Sequence, residues 1–128
     1  PQQDRVDWQP LSEQAITMAL AQNKRVFVDV TADWCITCKA NKFNVLLRDD
    51  VQQALSAPDV VALRGDWSRP SNTIASFLRQ RGSVAIPFNQ IYGPGLTDGE
   101  ILSPLLDRST LLATLAQAGI APSQGETK

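Results

Sequence analysis

The stretch Val26-Phe27-Val28-Asp29-Val30-Thr31-Ala32-Asp33-Trp34-Cys35-Ile36-Thr37-Cys38-Lys39 decides how the chain is read. Its first part is short, β-branched and nearly all apolar. That pattern predicts a central strand over Arg25 to Thr31, covered on both faces. The second part opens a helix from Cys35 to about Leu47, with Phe43, Leu46 and Leu47 as core contacts. A Cys-x-x-Cys pair therefore stands where a buried strand turns into a helix. Cys35 lies at the helix N-terminus and Cys38 one turn further in, a spacing that brings the two sulfurs within disulfide reach. Unpaired N–H groups and a positive partial charge at a helix N-terminus favour a thiolate at Cys35 over one at Cys38. Cys35 is thus the expected exposed nucleophile. Cys38 is the expected buried thiol that closes the ring and releases the partner. Two other uses stay open here. A static disulfide would constrain so short a loop little. Two thiolates also suit a soft metal such as Cu(I), although the one methionine, Met18, is distant in sequence.

The composition narrows the chemistry further. The chain has 128 residues, room for one core and one domain over residues 11–120, with short tails at 1–10 and 121–128. Lys plus Arg is 12 and Asp plus Glu is 13, a balance that gives no broad basic field for nucleic acid or an anionic membrane. There is no histidine, which removes Ser-His-Asp triads, Cys-His pairs and histidine metal sites. Proton transfer near neutral pH must then use a shifted carboxylate, lysine or thiol. With two cysteines and no histidine a structural zinc site lacks ligands, so no metal or other cofactor is expected. No apolar run reaches the roughly 18 residues of a membrane span. The opening at Pro1 rather than Met, with no signal-peptide pattern, leads to the expectation of a piece processed or excised from a longer protein.

Outward from the central stretch, elements alternate. Residues 1–10 read as a tail or a weak first strand. Ser12 caps a helix to about Gln22, with Leu11 and Ile16 placed as a hydrophobic staple. Asp49 and Gln52 resemble a capping box for a short helix, Asp50 to Ala57. A second buried strand follows over Val60 to Asp66. A helix over Ser71 to Arg81 ends at Gly82. A strand runs from Asn89 to Tyr92, a weak one from about Glu100 to Leu102, and a last helix from Thr110 to Ala118. This order predicts an α/β fold, a central mixed sheet flanked by helices.

Beyond the cysteines, other residues carry candidate chemistry. Asp29 is an acid inside an apolar strand, six residues before Cys35, which is costly unless it is paired or protonated. There it can exchange a proton with Cys38, directly or through water. The plainer use is an acid satisfied by a neighbouring lysine or hydroxyl. Pro87 opens a strand, where proline normally weakens pairing. A cis Ile86–Pro87 bond would cost little there and would turn the Ile86 backbone toward an incoming peptide. Trp34 and Ile36 flank the cysteines. With the charge nearly neutral, recognition is expected from an apolar patch of Trp34, Ile36, Ile86 and Pro87 with backbone pairing. Lys39 and Lys42 follow on the same helix, and Trp67 reads as a packing residue.

The run Val28 to Lys39, with Ile86-Pro87 about fifty residues on, resembles the thioredoxin superfamily. The segments Thr31 to Asn41, Gly65-Asp66-Trp67, Ile91 to Gly95 and Ile101-Leu102 are similar to the C-terminal periplasmic domains of DsbD-type thiol:disulfide interchange proteins. Within that group they are similar to the suppressor of copper sensitivity protein B family. The resemblance covers roughly Trp8 to Gly119. It implies a thioredoxin-like fold and a protein-disulfide reductase domain, with Cys35, Cys38 and Asp29 catalytic and Pro87 in a cis peptide bond. It further implies a soluble periplasmic domain of an inner-membrane protein, monomeric in isolation. Electrons would come from a membrane-embedded domain of the same parent and pass to periplasmic thioredoxin-like or disulfide-bearing proteins. A Cu(I)-binding module and an independent oxidase or isomerase are the alternatives.

One position departs from the group. A glutamate often stands seven residues after the first cysteine, and here that residue is Lys42. A cation there favours thiolates where a carboxylate disfavours them. A thiolate-absorbance titration of reduced protein should therefore place Cys35 below the ordinary thiol value of about 8.5, and a value at or above it contradicts the expectation.

Overall fold

The apolar stretch Arg25–Thr31 is the middle strand, β2, of a five-stranded sheet in the computed structural model, which describes residues 3–121. Around it the described chain runs β1 (Gln9–Pro10), α1 (Glu13–Ala21), β2, α2 (Ile36–Asn41), α3 (Asp49–Leu55), β3 (Val60–Asp66), α4 (Asn72–Gln80), β4 (Phe88–Gly93), β5 (Leu96–Ile101) and α5 (Arg108–Ala118). The sheet order is β1-β3-β2-β4-β5. β3 runs parallel to β1 and β2, whereas β4 runs antiparallel to β2 and β5. The fold is thus α/β, a mixed sheet between helices, as expected.

Period-two alternation divides β2 between two cores. Val26, Val28 and Val30 point to one face and pack with Ile16, Leu63, Leu78 and Phe88. Phe27 points to the other and packs with Val51, Leu55, Ile91 and Leu111. Each such fully buried side chain contributes about 1.5–3 kcal/mol. Asp29 lies on the Phe27 face. Cover on both sides explains why this strand tolerates no polar alternation except at Asp29.

The Ser12 cap forms as read: the Ala15 N–H donates to Ser12 Oγ (2.9 Å). Ser71, read as the first residue of its helix, is instead the N-cap of α4, and the Ile74 N–H donates to its Oγ (3.2 Å). Gly82 takes φ +73°, and the Ser83 N–H returns to the Leu78 carbonyl (2.9 Å), closing α4 with a left-handed cap. Among the described residues no helix is long and apolar enough to cross a membrane.

Several expectations are corrected. Phe43 is 55% exposed, not a core contact, and Val45 takes the buried place. The cause is a π-helical stretch, Lys42–Leu46, that continues α2: the Leu47 N–H reaches back five residues to the Lys42 carbonyl (2.9 Å). The wider turn rotates Phe43 outward. The Asp49–Gln52 capping box does not form, because Asp49 already lies within α3 and Arg48 is the capping residue without a side-chain bond. Gln52 instead is buried and donates to the Leu46 carbonyl (2.8 Å). β5 begins at Leu96 rather than near Glu100, since the turn at Pro94 and Gly95 feeds directly into pairing with β4. The predicted tail at 121–128 falls, beyond Ala121, outside the described residues.

Candidate active site

The cysteine helix begins where β2 ends. Cys35 is the N-cap of α2, and its sulfur accepts from the Cys38 N–H (3.1 Å). A donor at that place stabilises negative charge on Cys35 and not on Cys38. The two residues are joined as a disulfide, with Cα atoms 5.2 Å apart. Cys35 was expected exposed and Cys38 covered, yet each is 6% exposed. In the bonded pair the Cys35 sulfur is held against the helix end, so the asymmetry lies in hydrogen bonding rather than cover. Both pack against Ala32, with Trp67 and Ile86 closing over them.

The rim is apolar. Trp34 is 59% and Ile36 82% exposed, beside the motif they flank. The loop after β3 fixes the turn that carries Trp34. Its indole Nε1 donates to the Trp67 carbonyl (3.1 Å), and the Asp33 N–H donates to Ser68 Oγ (2.8 Å). The Ser68 N–H is in turn held by Asp66 (3.0 Å). The Ile86–Pro87 bond is cis. Ile86 contacts the cysteine cluster, whereas Pro87 itself is buried. A groove of about 290 Å³ runs along Ile86 and Pro87, with Ile101, Leu102 and Pro104 on its wall.

Two contributions escape sequence reading. Buried Asn41 donates to the Pro104 carbonyl (2.8 Å) and accepts from the Leu106 N–H (3.0 Å), tying the loop after β5 to the cysteine helix. A single asparagine within a helical pattern carries no signal of that role. Asn89 is the second, and it belongs to the acid.

Asp29, Arg64 and Asn89 are register partners on three neighbouring strands, since Asp29 pairs with Arg64 on β3 and with Asn89 on β4. Arg64 Nε donates to Asp29 Oδ2 (2.9 Å), and Asn89 Nδ2 donates to Asp29 Oδ1 (2.8 Å). Asp29 is 4% exposed. Burial pushes its carboxyl above the ordinary value, against the opposing pull of the Arg64 charge and the Asn89 hydrogen bond. Its partners are thus an arginine and an amide, not a lysine or hydroxyl. Arg64 also lines a cavity of about 370 Å³ shared with Cys38, Lys39, Lys42, Asp33 and Asp66. Arg64 thus stands between buried Asp29, which it holds, and the cavity that Cys38 lines. The ammonium groups of Lys39 and Lys42 stand on exposed residues at its edge.

The raised Asp29 titration has a definite sign in stability. A carboxyl that holds its proton more tightly folded than unfolded contributes stability at low pH and loses it as pH rises through the raised midpoint. Denaturant melts of wild type minus Asp29→Asn should fall with rising pH across that range, with a limiting slope of about 1.4 kcal/mol per pH unit. A difference that rises instead would mean that Arg64 outweighs burial.

The Thioredoxin-like family profile matches residues 7–94. No curated protein sequence matches the chain. Among solved structures, a thioredoxin from Thermus thermophilus is similar with TM-score 0.65 and 22% identity, covering 88% of this chain and 85% of that one. The reduced DsbD C-terminal domain of Neisseria meningitidis is similar with TM-score 0.64 and 23% identity, covering 83% and 92%. A DsbH oxidoreductase is similar with TM-score 0.63 and 13% identity, covering 89% and 84%. At such identities the likeness speaks for the fold.

Proposed function

Since this chain belongs to the thioredoxin-like family, we propose that it is a thiol:disulfide oxidoreductase domain that works as a protein-disulfide reductase in an electron relay. The observation that carries the reading is the Cys35–Cys38 pair at the start of α2, with the Cys38 N–H aimed at the Cys35 sulfur. In the reduced state the Cys35 thiolate attacks one sulfur of a partner disulfide. That S–S bond breaks, a mixed disulfide forms, and the partner's other sulfur leaves as a thiolate that takes up a proton. Cys38 then gives its proton to Asp29 by way of the cavity that Arg64 lines, and attacks the Cys35 sulfur. The mixed disulfide opens, the partner's sulfur leaves as a thiolate that takes up a second proton, so the partner departs as a dithiol with two electrons and Cys35–Cys38 is oxidised. Trp34, Ile36, Ile86 and the groove beside Pro87 are the surface for the partner's chain.

The finer placement is with DsbD-type interchange proteins and the suppressor of copper sensitivity protein B family. The Thr31 to Asn41 run and the fold likeness to a DsbD C-terminal domain support it. On this reading the domain is periplasmic. It is recharged by a membrane-embedded domain of its parent and delivers electrons to thioredoxin-like or disulfide-bearing proteins. Reduced, desalted protein mixed with an oxidised periplasmic thioredoxin-like acceptor should open one acceptor disulfide per Cys35–Cys38 disulfide formed. An acceptor that stays oxidised beside a fully reduced Cys35–Cys38 pair would reject the reductase direction.

A further inference from the structure

Arg64 serves two carboxylates. Its Nε donates to Asp29 Oδ2 (2.9 Å), its Nη1 donates to Asp4 Oδ2 (3.5 Å), and its guanidinium lies 3.8 Å from the Trp8 ring centroid. Asp4 is itself fixed from three directions. Trp8 Nε1 donates to its Oδ2 (2.9 Å), and the Val6 N–H (3.2 Å) and Gln52 Nε2 (3.2 Å) donate to its Oδ1. Gln52 also accepts from the Arg5 N–H (2.7 Å), and Val6 is buried in the core. Residues 4–8 are thus folded onto Arg64 by several directed contacts, although none of them belongs to the cysteine loops.

We propose that Asp4 is a positioning residue of the redox centre: by sharing Arg64 with Asp29, the docked segment of residues 4–8 ties the reactivity of the cysteine pair to the seating of the N-terminal segment. One guanidinium between two anions satisfies each less than it would satisfy one. Removing the Asp4 charge leaves Asp29 as the remaining anion on Arg64 and also removes a like charge, and both changes favour ionised Asp29. Around Asp29 the facing groups are Arg64 from β3, uncharged Asn89 from β4 and Asp4 from the N-terminal segment. Across the cavity stand Lys39 and Lys42 from the cysteine helix and its extension, with Asp33 from the loop after β2 and Asp66 at the end of β3. Undocking the segment therefore acts on Asp29 in the same direction as neutralising Asp4.

This inference rests on Asp29 as the carrier of the Cys38 proton, so its test reads Asp29 and the cysteines separately. In the full chain, Asp4→Asn is compared with wild type by carboxyl-carbon NMR titration of Asp29 and by the pH profile of disulfide exchange. The Asp29 midpoint should move to lower pH. The exchange rate on the acidic flank of the profile should rise on the order of two- to threefold, and Asp4→Glu should restore both. Trp8→Phe keeps a ring over Arg64 and removes the N–H that fixes Asp4, so it should move both readouts the same way by less. An unmoved Asp29 midpoint in Asp4→Asn overturns the proposal. A midpoint that moves while the exchange profile does not also overturns it, and locates the failure in the role of Asp29 rather than in the Asp4 contact.

Discussion

Cys35→Ser is expected to bring turnover with a disulfide acceptor down to background, a loss on the order of a thousandfold or more. Cys38→Ser is expected to stop at a covalent adduct. The two outcomes differ because the sulfurs occupy different places in one turn of helix. Cys35 caps α2 and receives the Cys38 N–H, so charge accumulates on it before attack. Cys38 receives no such bond among the described contacts and shares its cavity with Arg64, the residue that holds Asp29. Without the Cys35 sulfur no mixed disulfide forms. Without the Cys38 sulfur it forms and has no intramolecular thiol to release it. Non-reducing electrophoresis and intact mass of the variant mixed with an oxidised acceptor should show the adduct for Cys38→Ser alone. An adduct that accumulates with Cys35→Ser instead would reverse the two roles.

Arg64→Met should be the most damaging change away from the sulfurs. It keeps much of the length that packs on Trp8 while leaving Asp29, 4% exposed, with the Asn89 amide as its remaining side-chain donor. Breaking a buried pair from one side costs about 3–5 kcal/mol. The Arg64 side chain is 24% exposed, so the lower end, about 3 kcal/mol at neutral pH, is expected. Burial then acts on Asp29 with less opposition, and its carboxyl should hold a proton to higher pH still. Because a protonated Asp29 needs no cation, the loss should shrink as pH falls. Denaturant melts at neutral and acid pH measure this. An equal loss at both would mean that Arg64 matters through its packing on Trp8 rather than through its charge.

What was legible in the chain follows from which interactions are local. The span of β2 and the caps at Ser12 and Gly82 depend on neighbours a few residues away, and they stand where periodicity and capping rules put them. The Cys-x-x-Cys is likewise local, so its place at the start of α2 could be read. Asp29 was recognisable as an acid out of place, but not its partners. Arg64 and Asn89 reach it through strand register, 35 and 60 residues away in sequence. Asn41 and Gln52 share that difficulty, since each spends its amide on a distant or irregular backbone group. The π-helical turn that exposes Phe43 left no mark on an apolar pattern that suits an ordinary helix equally well.

A redox titration of the cysteine pair is the most direct measurement of the account. The protein is equilibrated in thiol–disulfide buffers, the free thiols are alkylated, and the oxidised fraction is read by mass. A reversible two-electron transition between about −270 and −120 mV is predicted, the range of exchange-active pairs. A pair that stays oxidised below about −300 mV would mark a structural disulfide and contradict the account.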